Sequence, residues 1–277
     1  MKSYKEFIKE SKTDIHSICK KYDLYDYTIN PDGSIDVDGN VNLVGNELTK
    51  LPLRFRNVSG YFSCEYNQLT SLEGCPQSVD SDFSCGFNQL TSLEGGPQSV
   101  GGDFYCYNNK LTSLEVCPQS VGGDFSCSNN KLTSLEGAPK EVGGDFYCSR
   151  NELTSLVGCP EIIGDNFECS GNKLTSLEGC PEIIGGVIYC INNQIKDFKG
   201  VPEFFEGLFY CEGNPIEEIY TLFLQENHVD NSKCIKWINE FDVIQGNKVI
   251  MDRLEEVFYQ LGMEVPEKIE LQSYEII

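Results

Sequence analysis

The chain has 277 residues, 40% of them hydrophobic and 11% aromatic, which excludes general disorder and permits a sizeable core. Its formal charge is −22, distributed as zero over residues 1–34, −14 over 35–215 and −8 over 216–277. Nucleic-acid binding rests on neutralising phosphates with Lys and Arg, so an acidic middle and end argue against nucleic acid and against an anionic membrane, and favour a basic protein partner.

The opening, MKSYKEFIKESK, has no apolar stretch of signal-peptide length, and no segment approaches the roughly 20 apolar residues of a membrane span. With 14 cysteines and no export signal, a cytoplasmic location with reduced thiols is expected. Residues 4–21 place Tyr4, Phe7, Ile8, Ile15, Ile18 and Cys19 on one helical face. The stretch YTINPDGSIDVDGNVNL reads as alternating strand around a Pro31-Asp32-Gly33 turn. Residues 1–36 are therefore expected to form an N-terminal helix-and-strand cap.

A repeat then takes over. Asparagines recur at Asn46, Asn67, Asn88, Asn109, Asn130, Asn151, Asn172, Asn193 and Asn214, a constant 21-residue period. Cys64, Cys85, Cys106, Cys127, Cys148, Cys169, Cys190 and Cys211 lie three residues before, and Phe62, Phe83, Phe104, Phe125, Phe146, Phe167, Ile188 and Phe209 five before. Leucine or isoleucine follows each Asn by two. Chance does not hold four columns in phase so long, and such a period marks a solenoid. Period-two alternation predicts a strand at 62–65, 83–86, 104–107, 125–128, 146–149, 167–170, 188–191 and 209–212, with Phe and Cys inward. The Asn is expected to be buried where the strand ends, its amide satisfied by backbone. Val79, Val100, Val121, Val142, Ile163 and Ile184 supply another inward column. A proline in each return segment (Pro76 to Pro202) points to extended or 3₁₀ structure there, and Gly-Gly pairs such as Gly101-Gly102 to the turn into the next strand. One coil buries about five apolar side chains at roughly 1.5–3 kcal/mol each, against about 1–2 kcal/mol per residue for ordering the backbone. Stability must come from stacking. Beyond Pro215, segments 216–226, 232–241 and 249–262 read as helices with Trp237, Phe241, Leu254, Val257 and Phe258 as core, a helical C-terminal cap over 216–277.

The core F-x-C-x-x-N-x-L resembles the L-x-L-x-x-N-x-L signature of leucine-rich repeats, with Phe and Cys in two Leu slots, over about residues 37–219. That resemblance implies an α/β class right-handed solenoid, 37–215, of eight to nine coils with a parallel concave sheet, an extended or 3₁₀ convex side and helical caps. The whole arrangement is similar to leucine-rich-repeat proteins encoded by bacteriophages, a resemblance that carries no established activity. Interference with a host defence factor in the host cytoplasm is the purpose it suggests. Bacterial effector ubiquitin ligases join similar repeats to a catalytic-cysteine domain, but about sixty residues with Cys234 alone are too few for one.

Catalytic chemistry finds little support. The two histidines are His16 and His228; His16 and Cys19 share a helical face, as i,i+3 neighbours do on any helix. No nucleophile elbow, phosphate loop or HExxH motif occurs. Stacked cysteines at a strand spacing of roughly 4.8 Å are too far apart for unstrained disulfides, and no CxxC pair suggests zinc; no metal, cofactor or enzymatic activity is expected.

Surface columns that vary between coils are free to specialise. One outward column reads Ser63, Ser84, Tyr105, Ser126, Tyr147, Glu168, Tyr189, Tyr210, and the next Glu65, Gly86, Tyr107, Ser128, Ser149, Ser170, Ile191, Glu212, with Tyr66, Phe87 and Arg150 beside them. Tyrosines among serines resemble the rigid anchors of recognition surfaces. Asp82, Asp103, Asp124 and Asp145 enter the strands, and in-register like charges repel, a cost that a basic partner or cations would relieve; a solvated edge is the alternative. The expected protein-binding set is Tyr105, Tyr107, Tyr147, Tyr189, Tyr210, Arg150, Asp103, Asp124 and Asp145. A structural or self-assembling component is the competing reading, with a monomer slightly favoured.

Overall fold

A computed structural model describes residues 14–202, 205, 207–224 and 231–277. The expectations for Tyr4, Phe7, Ile8 and His228 lie outside these residues.

Phenylalanine and cysteine two apart put their side chains on the same side of an extended chain, and the repeated coils stack that pair upon itself. The result is a β-solenoid of 21-residue turns built on two sheets, nine-stranded each among the described residues, parallel throughout except where Tyr27–Ile29 pairs antiparallel with Ile35–Val37. In the front sheet Phe62–Ser63, Phe83–Ser84, Phe104–Tyr105, Phe125–Ser126, Phe146–Tyr147, Phe167–Glu168, Ile188–Tyr189 and Phe209–Tyr210 pair in register with like residues, and Val41–Asn42 forms the first strand. The regular part is shorter than the four residues expected. Backbone bonding nonetheless continues past it: Phe62 N–H donates to Asp82 O at 2.8 Å, Cys64 N–H to Ser84 O at 2.9 Å and Tyr66 N–H to Gly86 O at 3.2 Å.

On the convex side the extended alternative holds, and the extended segments pair with one another. Ser78–Val79, Ser99–Val100, Ser120–Val121, Glu141–Val142, Ile162–Ile163 and Ile183–Ile184 form a second, back sheet. The inward valines and isoleucines are its buried side, and the proline that forbids a helix lies just before each strand, where its missing N–H costs no ladder bond. A 3₁₀ turn, Thr221–Phe223, occurs instead in the C-terminal region.

Phe62, Phe83, Phe104, Phe125, Phe146 and Phe167 are fully buried, with successive ring centroids 5.2–6.1 Å apart. The Asn ladder satisfies the ends of the front strands. Asn130 Nδ2 donates to Cys106 O (3.1 Å) and Cys127 O (3.0 Å), while its Oδ1 accepts the Leu111 N–H at 3.0 Å. The same set recurs at Asn88, Asn109, Asn151, Asn172 and Asn193. Asn46, in the first coil, is exposed and bonds Val44 O, because no coil precedes it.

The Gly-Gly pairs work by a different route from the turn conformation expected of them. Neither Gly122 nor Gly143 has a positive φ, but a Cβ on Gly143 would stand 2.2 Å from Gly122 O, and one on Gly122 2.1 Å from Gly101 O. Backbone stacks on backbone at this corner, and there is no room for a side chain.

At the N-terminal end a helix over 14–21 precedes the hairpin Tyr27–Ile29 and Ile35–Val37, which joins the back sheet. At the other end the helices are Glu217–Tyr220, Asn231–Glu240 and Met251–Leu261. A three-stranded sheet of Ile244–Gln245, Lys248–Val249 and Glu275–Ile276 accompanies them, so this region is not purely helical. The second strand follows the first through a Gly246-Asn247 turn. Leu254, Val257 and Phe258 are buried; Trp237 and Phe241 stack on each other and are only partly covered.

Candidate functional site

The solvent-facing side of the front sheet collects the tyrosines, and the structure orders them more than the sequence suggests. Tyr105, Tyr107, Tyr147, Tyr189 and Tyr210 are all half-buried. Tyr105 donates its hydroxyl to Asp103 Oδ2 at 2.8 Å and lies 3.3 Å from Asp124 Oδ2. Tyr147 OH donates to Asp145 Oδ2. Burial, reinforced by these carboxylates, pushes both phenols well above their ordinary pKa, so they remain protonated donors. Tyr189 and Tyr210 stack face to face, 5.1 Å between centroids.

The aspartates have a second task. Asp82 Oδ1 accepts the Asp103 N–H (2.9 Å), Asp103 Oδ1 the Asp124 N–H (2.8 Å), Asp124 Oδ1 the Asp145 N–H (2.8 Å) and Asp145 Oδ1 the Asn166 N–H (2.7 Å). This is a second ladder, parallel to the Asn ladder, in which each carboxylate caps the amide of the following coil. It supplies a backbone donor to each of Asp82, Asp103, Asp124 and Asp145. No group of His, Cys, Asp or Glu among the described residues converges as a metal site. Asp103, Asp124 and Asp145 are thus both members of the face and structural elements of it.

Where the Asp column ends, Tyr107 reaches backwards. Its hydroxyl donates to Glu65 Oε1 at 2.5 Å, two coils away. Gly86 makes this crossing feasible: a Cβ there would lie 2.9 Å from Tyr107 Cε2 and 3.0 Å from the Glu65 carboxylate. Tyr105 meets Tyr107 edge-on at 5.9 Å, Tyr107 meets Phe87 edge-on at 5.5 Å, and Phe87 stacks on Tyr66 at 4.2 Å and 12°. Sequence reasoning placed Tyr66 and Phe87 beside the face without including them among its binding residues. The overlooked signal was the column: these positions are Asn108, Asn129, Asn192, Gly171 and Gly213 in other coils, residues that tolerate the left-handed conformation found here.

Arg150 occupies the same left-handed column with φ 54° and is exposed. Its charge opposes the burial that raises the pKa of Glu168 on the next strand. Ser128 departs from the exposed position expected: it is 8% exposed, and its Oγ pairs with Ser149 Oγ at 3.0 Å. Small residues on this face are shielded by their larger neighbours.

The cysteines are free thiols, most of them fully buried. Burial pushes Cys127 and Cys211 up to about 12. Near the N-terminal helix, His16 Nδ1 and the Tyr27 hydroxyl share a hydrogen bond; Cys19 is buried and its thiol pKa is raised by that burial, the opposite of nucleophile activation. An open groove of about 1060 Å³ is bordered by Ile15, Ile18, Ile29, Leu48, Lys50 and Arg54. Arg54 there pairs with Asp32 at 3.7 Å. No helix among the described residues is long and apolar enough to cross a membrane. Comparison with family models and with curated proteins gives no match to this chain.

Proposed function

We propose that the chain is a leucine-rich-repeat interaction scaffold, of the kind encoded by bacteriophages, that docks a basic host or viral protein on the outward face of its front sheet. The observation that carries this reading is the fixed geometry of the aromatic face. Tyr105, Tyr107 and Tyr147 are each tied by a carboxylate, and Tyr189 by stacking on Tyr210. A ring already held in place loses little side-chain entropy on binding, which is the advantage of preorganised anchors. The repeat supports the same reading, because substitutions in these columns leave the buried Phe, Cys, Leu and Asn columns untouched.

Capture from host lysate with the wild-type chain, a Tyr147→Ala/Tyr189→Ala variant and a back-sheet variant, Ile183→Ser, tests the proposal. A partner retained by Ile183→Ser and lost by the tyrosine variant supports it. Retention by both, or a solution mass showing self-assembly through the same face, favours a structural component instead. Interference with a host defence factor is the corresponding biological role.

A further inference from the structure

We infer that the first third of the front face is a guanidinium-binding site, formed by the stacked pair Tyr66–Phe87, the edge of Tyr107 and the carboxylate of Glu65, and that it takes an arginine side chain of the partner. The inference rests on the interaction reading above and gives its partner a chemistry.

Four observations converge on it. Tyr66 and Phe87 are large apolar side chains exposed to 54% and 38%, stacked face to face with nearly parallel rings. Both rings are carried by backbone at φ 54° and 51°, a region that β-carbon sterics disfavour and that Asn or Gly occupies in most other coils. The packing of the coil does not require an aromatic there, since Asn108, Asn129 and Asn192 serve in the same place. An open groove of about 550 Å³ runs along this ridge, bordered by Tyr66, Phe87, Asn108 and Asn129.

Charge decides the occupant. The columns of this face contain Glu65, Asp82, Asp103, Asp124, Asp145, Glu168 and Glu212, and Arg150 is their sole base, located three coils from Phe87. Glu65 differs from the aspartates: its carboxylate is not part of the backbone ladder, and one phenol, Tyr107, donates to it. A half-buried carboxylate with one oxygen engaged retains an acceptor for a charge-assisted bond. A planar cation stacked on the outer face of the Tyr66–Phe87 pair with its N–H groups toward Glu65 satisfies both features, and a planar guanidinium stacks on an aromatic face more readily than an ammonium does. Ser84, on the strand between, adds a buried hydroxyl with no hydrogen-bond partner among the described residues.

The test uses the full chain and three peptides of equal length: acetyl-Arg-Gly-Arg-Gly-Arg-amide and its lysine and glutamate counterparts. Titration is followed by calorimetry and by chemical shifts of the Tyr66 and Phe87 rings. The arginine peptide is expected to bind at least about threefold more tightly than the lysine peptide, and the glutamate peptide not at all. Tyr66→Asn and Phe87→Asn, which install the residue native to that column, are expected to weaken the arginine peptide about fivefold without lowering the melting temperature. Glu65→Gln is expected to weaken it and to reduce its salt dependence. Equal binding of arginine and lysine peptides, unchanged by Phe87→Asn, means a diffuse electrostatic attraction and overturns the inference. If the peptides fail while Tyr147→Ala/Tyr189→Ala still loses a captured partner, the guanidinium site falls and the interaction reading stands.

Discussion

Replacing Asn130 by leucine isolates the contribution of the asparagine ladder, because the side chain is buried, similar in size, and bonded at both ends of its amide. Its Oδ1 is the acceptor for the Leu111 N–H, for which no other acceptor is seen among the described residues. Its Nδ2 donates to Cys106 O and Cys127 O, but these carbonyls also receive Asn109 and Asn151 respectively, at 3.2 and 3.1 Å. The substitution therefore orphans one buried donor, at about 1–3 kcal/mol, and removes two shared bonds at roughly 0.5–1.5 kcal/mol each. A loss of about 3 kcal/mol follows, or a melting temperature lowered by roughly 6–12 °C for a chain of this size. Two variants calibrate it. Ser128→Ala removes a single hydroxyl contact with Ser149 and is expected to cost about 1 kcal/mol. Asn46→Leu changes an exposed member of the same column and is expected to cost less than about 0.5 kcal/mol. Urea unfolding of the three variants decides the matter. If Asn130→Leu costs no more than Asn46→Leu, the ladder is not a source of stability and its regularity needs another cause.

The remaining expectations concern strain, stacking and thiols. Val116 adopts φ 67° where Gly95 and Gly137 stand in the adjoining coils, so Val116→Gly should raise stability by about 1 kcal/mol, measured by thermal melting, despite the entropy that glycine adds to the unfolded chain; a loss would show that the surrounding coil does not strain the valine. Gly143→Ala, whose Cβ would meet Gly122 O at 2.2 Å, should destabilise by at least about 2 kcal/mol, whereas a neutral result would mean the coils separate freely at this corner. Buried thiols with raised pKa stay protonated at and well above neutral pH, so a thiol reagent at pH 8 should label few groups in the native protein and all 14 in denaturant; fast native labelling would contradict the burial. Gly86→Ala should displace the Tyr107 ring from Glu65 and sharpen the tyrosine signals of the mobile ring without a large change in melting temperature; unchanged Tyr107 shifts would refute the crossing contact.

Repetition made the core readable. Four columns in phase identified the inward Phe, Cys and Leu and the buried Asn, since a position repeated through stacked coils meets the same neighbours each time. The back sheet was less legible: two-residue strands such as Ser120–Val121 contain no alternation to read, and the proline before them pointed to extended or 3₁₀ structure without choosing between the two or indicating a sheet. Invariance proved to be an incomplete guide to burial. Ser71, Ser113 and Ser134 recur on the surface because each hydroxyl accepts the backbone N–H two residues on, at 3.0 Å. The aspartate column likewise recurs for its bond to the next coil, which no spacing in the sequence distinguishes from a charged binding edge. Ser128 appeared exposed because outward alternation gives direction, and direction is not accessibility beside larger side chains. The tyrosine face followed from column variation, but its carboxylate ties span 2, 19 and 42 residues and arise only once the coils are stacked.

Recognition on the front face is most directly tested by hydrogen–deuterium exchange of the chain with and without a captured partner. Protection concentrated at residues 63–66, 84–87, 105–108, 147–150 and 189–192 is the predicted result. Protection confined to residues 216–277, or to the back-sheet segments 78–79, 99–100 and 120–121, would contradict it and move recognition to the C-terminal region or the opposite face.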